Sequence, residues 1–299
     1  MSVPSSPGEV FEVTSADGTV LTGWRNGSAA AGPSVVIAGG LGTVPQTWPS
    51  LLEEDCGFRV SSWYYRGTFE TQRPTDPTHI RIEHHVEDLI ALMDHEGIDK
   101  AVVPCWSMGV NIAFEAALRH PDRVTGILAV AGVPGGTFRS MGAPLAIPQS
   151  LRHFVGVNGA RLMRCTAPLT NQVASRIPVN AVTAGILSHS GFILPRANAD
   201  VLVPTLEAFL KHDFSWYFTL ALGFSDHAPM DLSFVQVPVT LIAGRYDLLT
   251  APADMLDAAA QIPDAVVKVL PGSHFLPMEF PDEIHRLLSE LVDRVNQPV

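Results

Sequence analysis

The chain predicts an α/β fold, a mostly parallel central sheet flanked by helices and carrying a mainly helical cap. Three observations point there. Short β-branched runs alternate with segments whose apolar residues recur at helical spacing, the pattern of strand, crossover helix and parallel strand. That alternation breaks over residues 134–235, which hold helix-like apolar groups and no parallel-strand pattern, and then resumes. Hydrophobic residues make up 46% of the 299 and charged residues 16%, enough to bury a large core. The expected division is a core of residues 1–133 and 236–299, interrupted by a cap of residues 134–235.

The elements follow in order. Val10 to Thr14 and Val20 to Trp24, separated by Ala16-Asp17-Gly18, read as an opening hairpin. Ser34 to Ala38 and Phe58 to Tyr64 are apolar runs that stop at glycine-bearing turns. Val86, Leu89, Ile90 and Met93 fall at i, i+3, i+4 and i+7, so Ile82 to His95 predicts an amphipathic helix ended by Gly97. Ala101 to Cys105 predicts a strand, Met108 to His120 the helix after it, stopped by Pro121, and Gly126 to Ala131 another buried strand. Beyond the cap, Val239 to Ala243 and Ala265 to Leu270 predict strands. Pro252 to Gln261 and Asp282 to Val295 predict helices.

Chemistry concentrates at three of these junctions. Cys105-Trp-Ser-Met-Gly109 sits where a strand turns into a helix, and a sharp, strained turn there would present the Ser107 hydroxyl above the sheet. Standing alone, the pentapeptide would read as Ser107 capping a helix. His274, in Gly272-Ser-His-Phe275, follows the last predicted strand, so it projects from the same sheet edge as Ser107 and suits a general base. Asp247 follows the strand ending at Ala243 and would hold the imidazole tautomer. The other turn able to supply an acid, Gly132-Val-Pro-Gly-Gly136, has no carboxylate. Two backbone donors are expected at the oxyanion, the amides of Met108 and of Leu41 in the turn Gly39-Gly-Leu-Gly42. Gly40, Trp106 and Phe275, adjacent to these groups, are expected to contact substrate. Cys105 lies within a strand, so packing is its reading rather than nucleophilic attack.

These residues resemble the α/β-hydrolase superfamily over nearly the whole chain, through Gly39-Gly-Leu-Gly42, Tyr65-Arg-Gly67, Cys105-Trp-Ser-Met-Gly109, Gly244-Arg-Tyr-Asp247 and Gly272-Ser-His274. Two departures are visible. Members usually carry glycine two residues before the nucleophile and a His-Gly pair at the oxyanion turn, where this chain has Cys105 and Gly39-Gly40. The resemblance implies a Ser107–His274–Asp247 triad. It argues against epoxide hydrolases and haloalkane dehalogenases, which place aspartate at the elbow. The function expected is hydrolysis of a carboxylic ester or thioester of a small, largely apolar acyl substrate through an acyl-enzyme. The alternatives are an acyltransferase with the same triad and a non-catalytic hydrolase-like binding protein.

Composition bounds the remaining readings. A net charge of -11 excludes a phosphate-backbone binder, whose affinity rests on many Lys and Arg contacts. The three cysteines form no CxxC pair, and no His/Asp/Glu cluster has ligand spacing, so neither metal nor organic cofactor is implied. The opening thirty residues lack a basic start followed by an apolar run, and no stretch is long enough to span a membrane. A cytoplasmic protein is expected; a homodimer stays open. In the cap, Phe138, Met141, Phe154, Leu162, Met163, Phe192, Leu194, Phe209, Phe214, Trp216, Tyr217 and Phe218 offer apolar lining or pack the cap on the core. Between Asp122 and Asp200 there is no acid, while Arg123, Arg139, Arg152, Arg161, Arg164, Arg176 and Arg196 all fall there. These arginines either pair with the acidic core or meet an anionic group of the substrate.

Overall fold

The computed structural model describes residues 8–26, 32–135, 138–141 and 147–297. Residues 1–7, within the stretch read for a leader, and Gly136 of the acid-free turn lie outside them. Eight strands form one sheet in the order β1-β2-β4-β3-β5-β6-β7-β8. They are β1 (Glu9–Thr14), β2 (Val20–Arg25), β3 (Ser34–Ile37), β4 (Arg59–Trp63), β5 (Ala101–Trp106), β6 (Val124–Val130), β7 (Val239–Gly244) and β8 (Val266–Leu270). β1 and β2 pair antiparallel, β2 joins β4 antiparallel, and every later pairing is parallel.

The parallel strands are apolar on both faces because both are covered. Val36, Val103, Cys105, Ala129 and Leu241 pack with the helices α1 (Ile82–His95) and α2 (Gly109–Arg119). Val35, Val102, Leu128, Val130 and Ile242 pack on the opposite side against Ile284, Leu287, Leu288 and Leu291 of the closing helix, Pro281–Asn296. The edge strands β1 and β8 are only partly buried, as strands with one wet side should be.

Between β6 and β7 the described residues form five α-helices, α3 (Gln149–Cys165), α4 (Ala167–Ala174), α5 (Ala181–Ser188), α6 (Ala199–Leu210) and α7 (Phe214–Ser225). After β7 come α8 (Pro252–Ala259), a four-residue α9 (Leu276–Glu279) and α10 (Pro281–Asn296). The α1 bounds match the periodicity. α9 and the short 3-10 turns at Pro45–Thr47 and Pro49–Leu51 escape sequence reading because one turn leaves no period.

A buried ionic cluster ties the front of the sheet to this helical insertion. Arg66, fully buried after β4, donates to Asp88 of α1 through Nε at 2.8 Å and Nη2 at 2.7 Å, and to Asp17 at 2.6 Å. Its backbone carbonyl accepts the Trp216 indole N–H of α7 at 2.8 Å. One guanidinium thus holds the β1–β2 hairpin to α1, while its own main chain anchors α7.

Candidate active site

The β5–α2 junction is strained where a reactive hydroxyl would need it. Ser107 has φ +56, a left-handed conformation costing a non-glycine residue about 1–3 kcal/mol, and its amide donates to Val130 O of β6 at 3.0 Å. Two residues on, a Cβ on Gly109 would stand 2.0 Å from Ala38 O, so only glycine lets α2 start this close to β3. Cys105 is fully buried, and burial holds its thiol far above the ordinary cysteine range, which leaves it packed and protonated.

The three residues singled out in the sequence converge. His274 Nε2 lies 2.9 Å from Ser107 Oγ, and His274 Nδ1 lies 2.9 Å from Asp247 Oδ2. With Nδ1–H donating to the carboxylate, Nε2 is free to accept the serine hydroxyl. Asp247 is fixed through its other oxygen, which accepts the amides of Leu249 and Thr250 at 2.7 and 2.8 Å. The Thr250 hydroxyl in turn donates to Ala131 O at the end of β6, binding the acid's turn to the neighbouring strand. His274 is steadied from the other side, because the Trp106 indole donates to its carbonyl at 2.8 Å.

The two expected oxyanion donors are also near. Among the described residues, the amides of Leu41 and Met108 donate to no protein acceptor. Both residues line the same cavity as Ser107 and His274. The carbonyls of their turn are engaged elsewhere: Gly39 O accepts the Tyr65 hydroxyl and Gly40 O accepts that of Thr43. The missing His-Gly pair therefore leaves the turn held by Tyr65 and Thr43.

The cavity measures about 420 Å³. Gly40, Trp106 and Phe275 line it, as do Phe138, Met141, Phe192, Phe209, Tyr217 and Phe218 of the apolar set. Others of that set lie elsewhere. Phe154, Leu162 and Met163 are exposed on α3, Phe214 packs with Ala167 and Ala174, and Trp216 covers Gly67 and Arg73. Leu194 does not line the cavity either; its amide donates to Glu279 Oε1.

None of the seven arginines lines the cavity. Arg123 precedes β6, at the far end of the strands from Ser107, and pairs with Asp94 at 2.6 Å. Arg152 pairs with Asp254 of α8, and Arg196 lies 5.0 Å from the Phe280 ring centroid. Among the described residues, Arg139, Arg161, Arg164 and Arg176 make no ion pair.

Two contributors escaped the sequence reading. Asn111 lines the cavity and accepts the Gly135 amide at 2.8 Å; its place in the first turn of α2, directly after the Ser107 turn, was the available signal. Glu279, buried on α9, accepts the Ser273 amide and hydroxyl at 2.8 and 2.6 Å and so holds the residue before His274. An acid beside a proline-rich turn gives no such hint. Among the described residues, no three His, Cys, Asp or Glu side chains gather as a metal site.

The sheet order, the strained strand-to-helix turn and the matching of residues 33–156 to the family model described as alpha/beta hydrolase fold define the class. The chain has the α/β-hydrolase fold. It is 25% identical to the 3-oxoadipate enol-lactonase 2 of Acinetobacter baylyi over 266 residues, which cover 88% of this chain and 90% of that one. It is 24% identical to epoxide hydrolase 3 of Siraitia grosvenorii, over 89% of this chain and 94% of the relative. Among solved structures, an esterase of Thermogutta terrifontis superposes with a TM-score of 0.70 at 20% identity, covering 97% of this chain and 100% of that one. No helix among the described residues is long and apolar enough to cross a membrane.

Proposed function

We propose that the chain is a serine hydrolase that cleaves a carboxylic ester or thioester of a largely apolar acyl substrate through an acyl-enzyme. The observation that carries this reading is the unbroken relay from Ser107 Oγ through His274 to Asp247, at 2.9 Å and 2.9 Å, opening into an apolar cavity. Ser107 Oγ attacks the acyl carbon as His274 Nε2 takes the hydroxyl proton. Asp247 stabilises the imidazolium, and the Leu41 and Met108 amides bind the oxygen that becomes negative, each lowering the barrier by about 3 kcal/mol. The imidazolium then protonates the leaving alkoxide or thiolate, leaving the acyl group on Ser107. Water, deprotonated by His274, attacks that ester, and collapse of the second tetrahedral species returns the proton to Ser107 Oγ.

The residue at the turn separates this reading from that of the relative named an epoxide hydrolase. A hydroxyl forms an acyl ester that water can release, whereas direct displacement at an epoxide carbon calls for the carboxylate nucleophile that aspartate provides. The helical insertion, read as a cap, supplies Phe192, Phe209, Tyr217 and Phe218 to the cavity wall, while Gly40, Trp106 and Phe275 line it from the core.

A fluorophosphonate probe tests the nucleophile directly. Intact mass is expected to show one adduct, mapping to Ser107 and absent in Ser107→Ala. A panel of p-nitrophenyl esters and acyl-CoAs of graded chain length then identifies the acyl group, and added alcohol separates hydrolysis from transfer. No adduct together with no turnover across the panel would overturn the reading.

A further inference from the structure

Three helices of the insertion each expose an apolar stripe at helical spacing. On α3, Leu151, Phe154, Val155 and Leu162 fall within one arc of about 100° and are 45–66% exposed. On α4, Leu169 and Val173 stand one turn apart at 64% and 52%; on α5, Val182 and Ile186 stand one turn apart at 70% and 68%. Isolated exposed apolar side chains are ordinary, but stripes on three consecutive helices are not.

The charge on this surface has one sign. Residues 134–199 carry six arginines and no Asp or Glu, in a chain whose net charge is -11. Arg161, Arg164 and Arg176 are exposed and unpaired with any acid among the described residues. Helical geometry puts Arg161 and Arg164 on one flank of the α3 stripe. Asp213, at the start of α7, which accepts from Asn171 of α4 at 3.3 Å, is already engaged by Arg73 at 2.8 Å.

We propose that the outer face of α3, α4 and α5 docks on an anionic lipid bilayer. An amphipathic helix with an apolar stripe flanked by arginine settles at the boundary between headgroups and acyl chains. Anionic headgroups attract that flank and repel the acidic remainder of the molecule, so charge orients this face toward the lipid. A second copy fits less well. Two-fold pairing of the face with itself would bring together two surfaces that carry arginine and no acid, and pairing it with an acidic face elsewhere gives a head-to-tail contact rather than a symmetric dimer. α5 sets the surface against the cavity, since Ile186 points outward while the next residue, Leu187, lines the cavity. Docking does not depend on the proposed chemistry.

Co-sedimentation of the intact protein with phosphatidylglycerol/phosphatidylcholine vesicles, against pure phosphatidylcholine, reads the proposal without any substrate. Binding to the anionic vesicles is expected at about 50 mM salt and is expected to weaken strongly by about 500 mM. Arg161→Glu with Arg164→Glu is expected to lower the partition coefficient at least about tenfold. Phe154→Ser with Leu162→Ser is expected to do the same at either salt. Unchanged melting and unchanged turnover of a soluble ester show that both variants are folded. Three results would each overturn the proposal: no binding to anionic vesicles at low salt, equal binding to pure phosphatidylcholine, or binding that both variants retain. A dimer by light scattering that either variant dissolves, without vesicle binding, would assign the face to a second copy instead.

Discussion

Ser107, His274 and Asp247 sit in three different turns, at 107, 274 and 247, and meet only because β5, β7 and β8 end at the same sheet edge. If they act as one unit, their removal is non-additive. Ser107→Ala is expected to lower kcat by about 10³-fold or more, and adding His274→Ala or Asp247→Asn should cost little further. Steady-state kinetics on the purified single and double variants, checked for native melting, measures this; losses that multiply would separate the residues. At this scale the sequence was most legible where geometry demands a residue type. Gly109 is required by the 2.0 Å approach to Ala38 O, and Ser107 stands at the strained φ that a sharp turn imposes. It was least legible where a role rests on a partner far along the chain. Glu279 supports Ser273, and Tyr65 holds Gly39, through hydrogen bonds that no local pattern encodes.

The elements depend on interior polar contacts as much as on apolar packing. Arg66 is fully buried among Asp88, Asp17 and Ser15. Arg66→Leu removes the cation and leaves Asp88 buried and uncompensated, so a loss of about 3–5 kcal/mol is expected in chemical denaturation. Asp88→Asn in the Arg66→Leu background should recover part of it. His85, one turn before Asp88 on α1, is also fully buried, stacked on Phe224 and tilted against Tyr65. Burial, and secondarily the nearby Arg66 charge, holds its imidazole well below the usual histidine range. The unfolded chain therefore takes up a proton below about pH 6.5 that the folded chain refuses, and stability falls as pH drops through that window. His85→Phe keeps the ring and removes the proton site. Its melting temperature should vary less with pH below about 6.5, with up to about 1.4 kcal/mol per pH unit removed from the slope. An unchanged slope would mean that other groups carry the dependence. The strands of the core came from short apolar runs and its helices from the 3.6-residue period. The Arg66 cluster did not, because its members lie far apart in sequence and charged residues carry no periodic signal.

For the whole molecule, the local excess of arginine was plain in the sequence, yet where those side chains point was not. Periodicity places a residue on a helix face, and only the packing of α3 to α7 decides which faces meet the cavity. The result bears on substrate charge. The cavity is lined by apolar groups and a few uncharged polar ones, and no Lys or Arg reaches it. A carboxylate on the acyl chain would lose its water there without gaining a cationic partner, a cost of several kcal/mol before any pKa adjustment. The chain as a whole, at net charge -11, would also repel such a substrate from a distance. A neutral ester is therefore expected to exceed its anionic isostere in kcat/KM by about 10²-fold or more, mostly through the desolvation cost. The two causes separate by ionic strength. Raising salt from about 50 to about 500 mM screens the long-range repulsion but not the buried cost, so the preference should shrink slightly and persist. A preference for the anionic ester that salt abolishes would instead mean that the exposed arginines of the insertion steer substrate into the cavity.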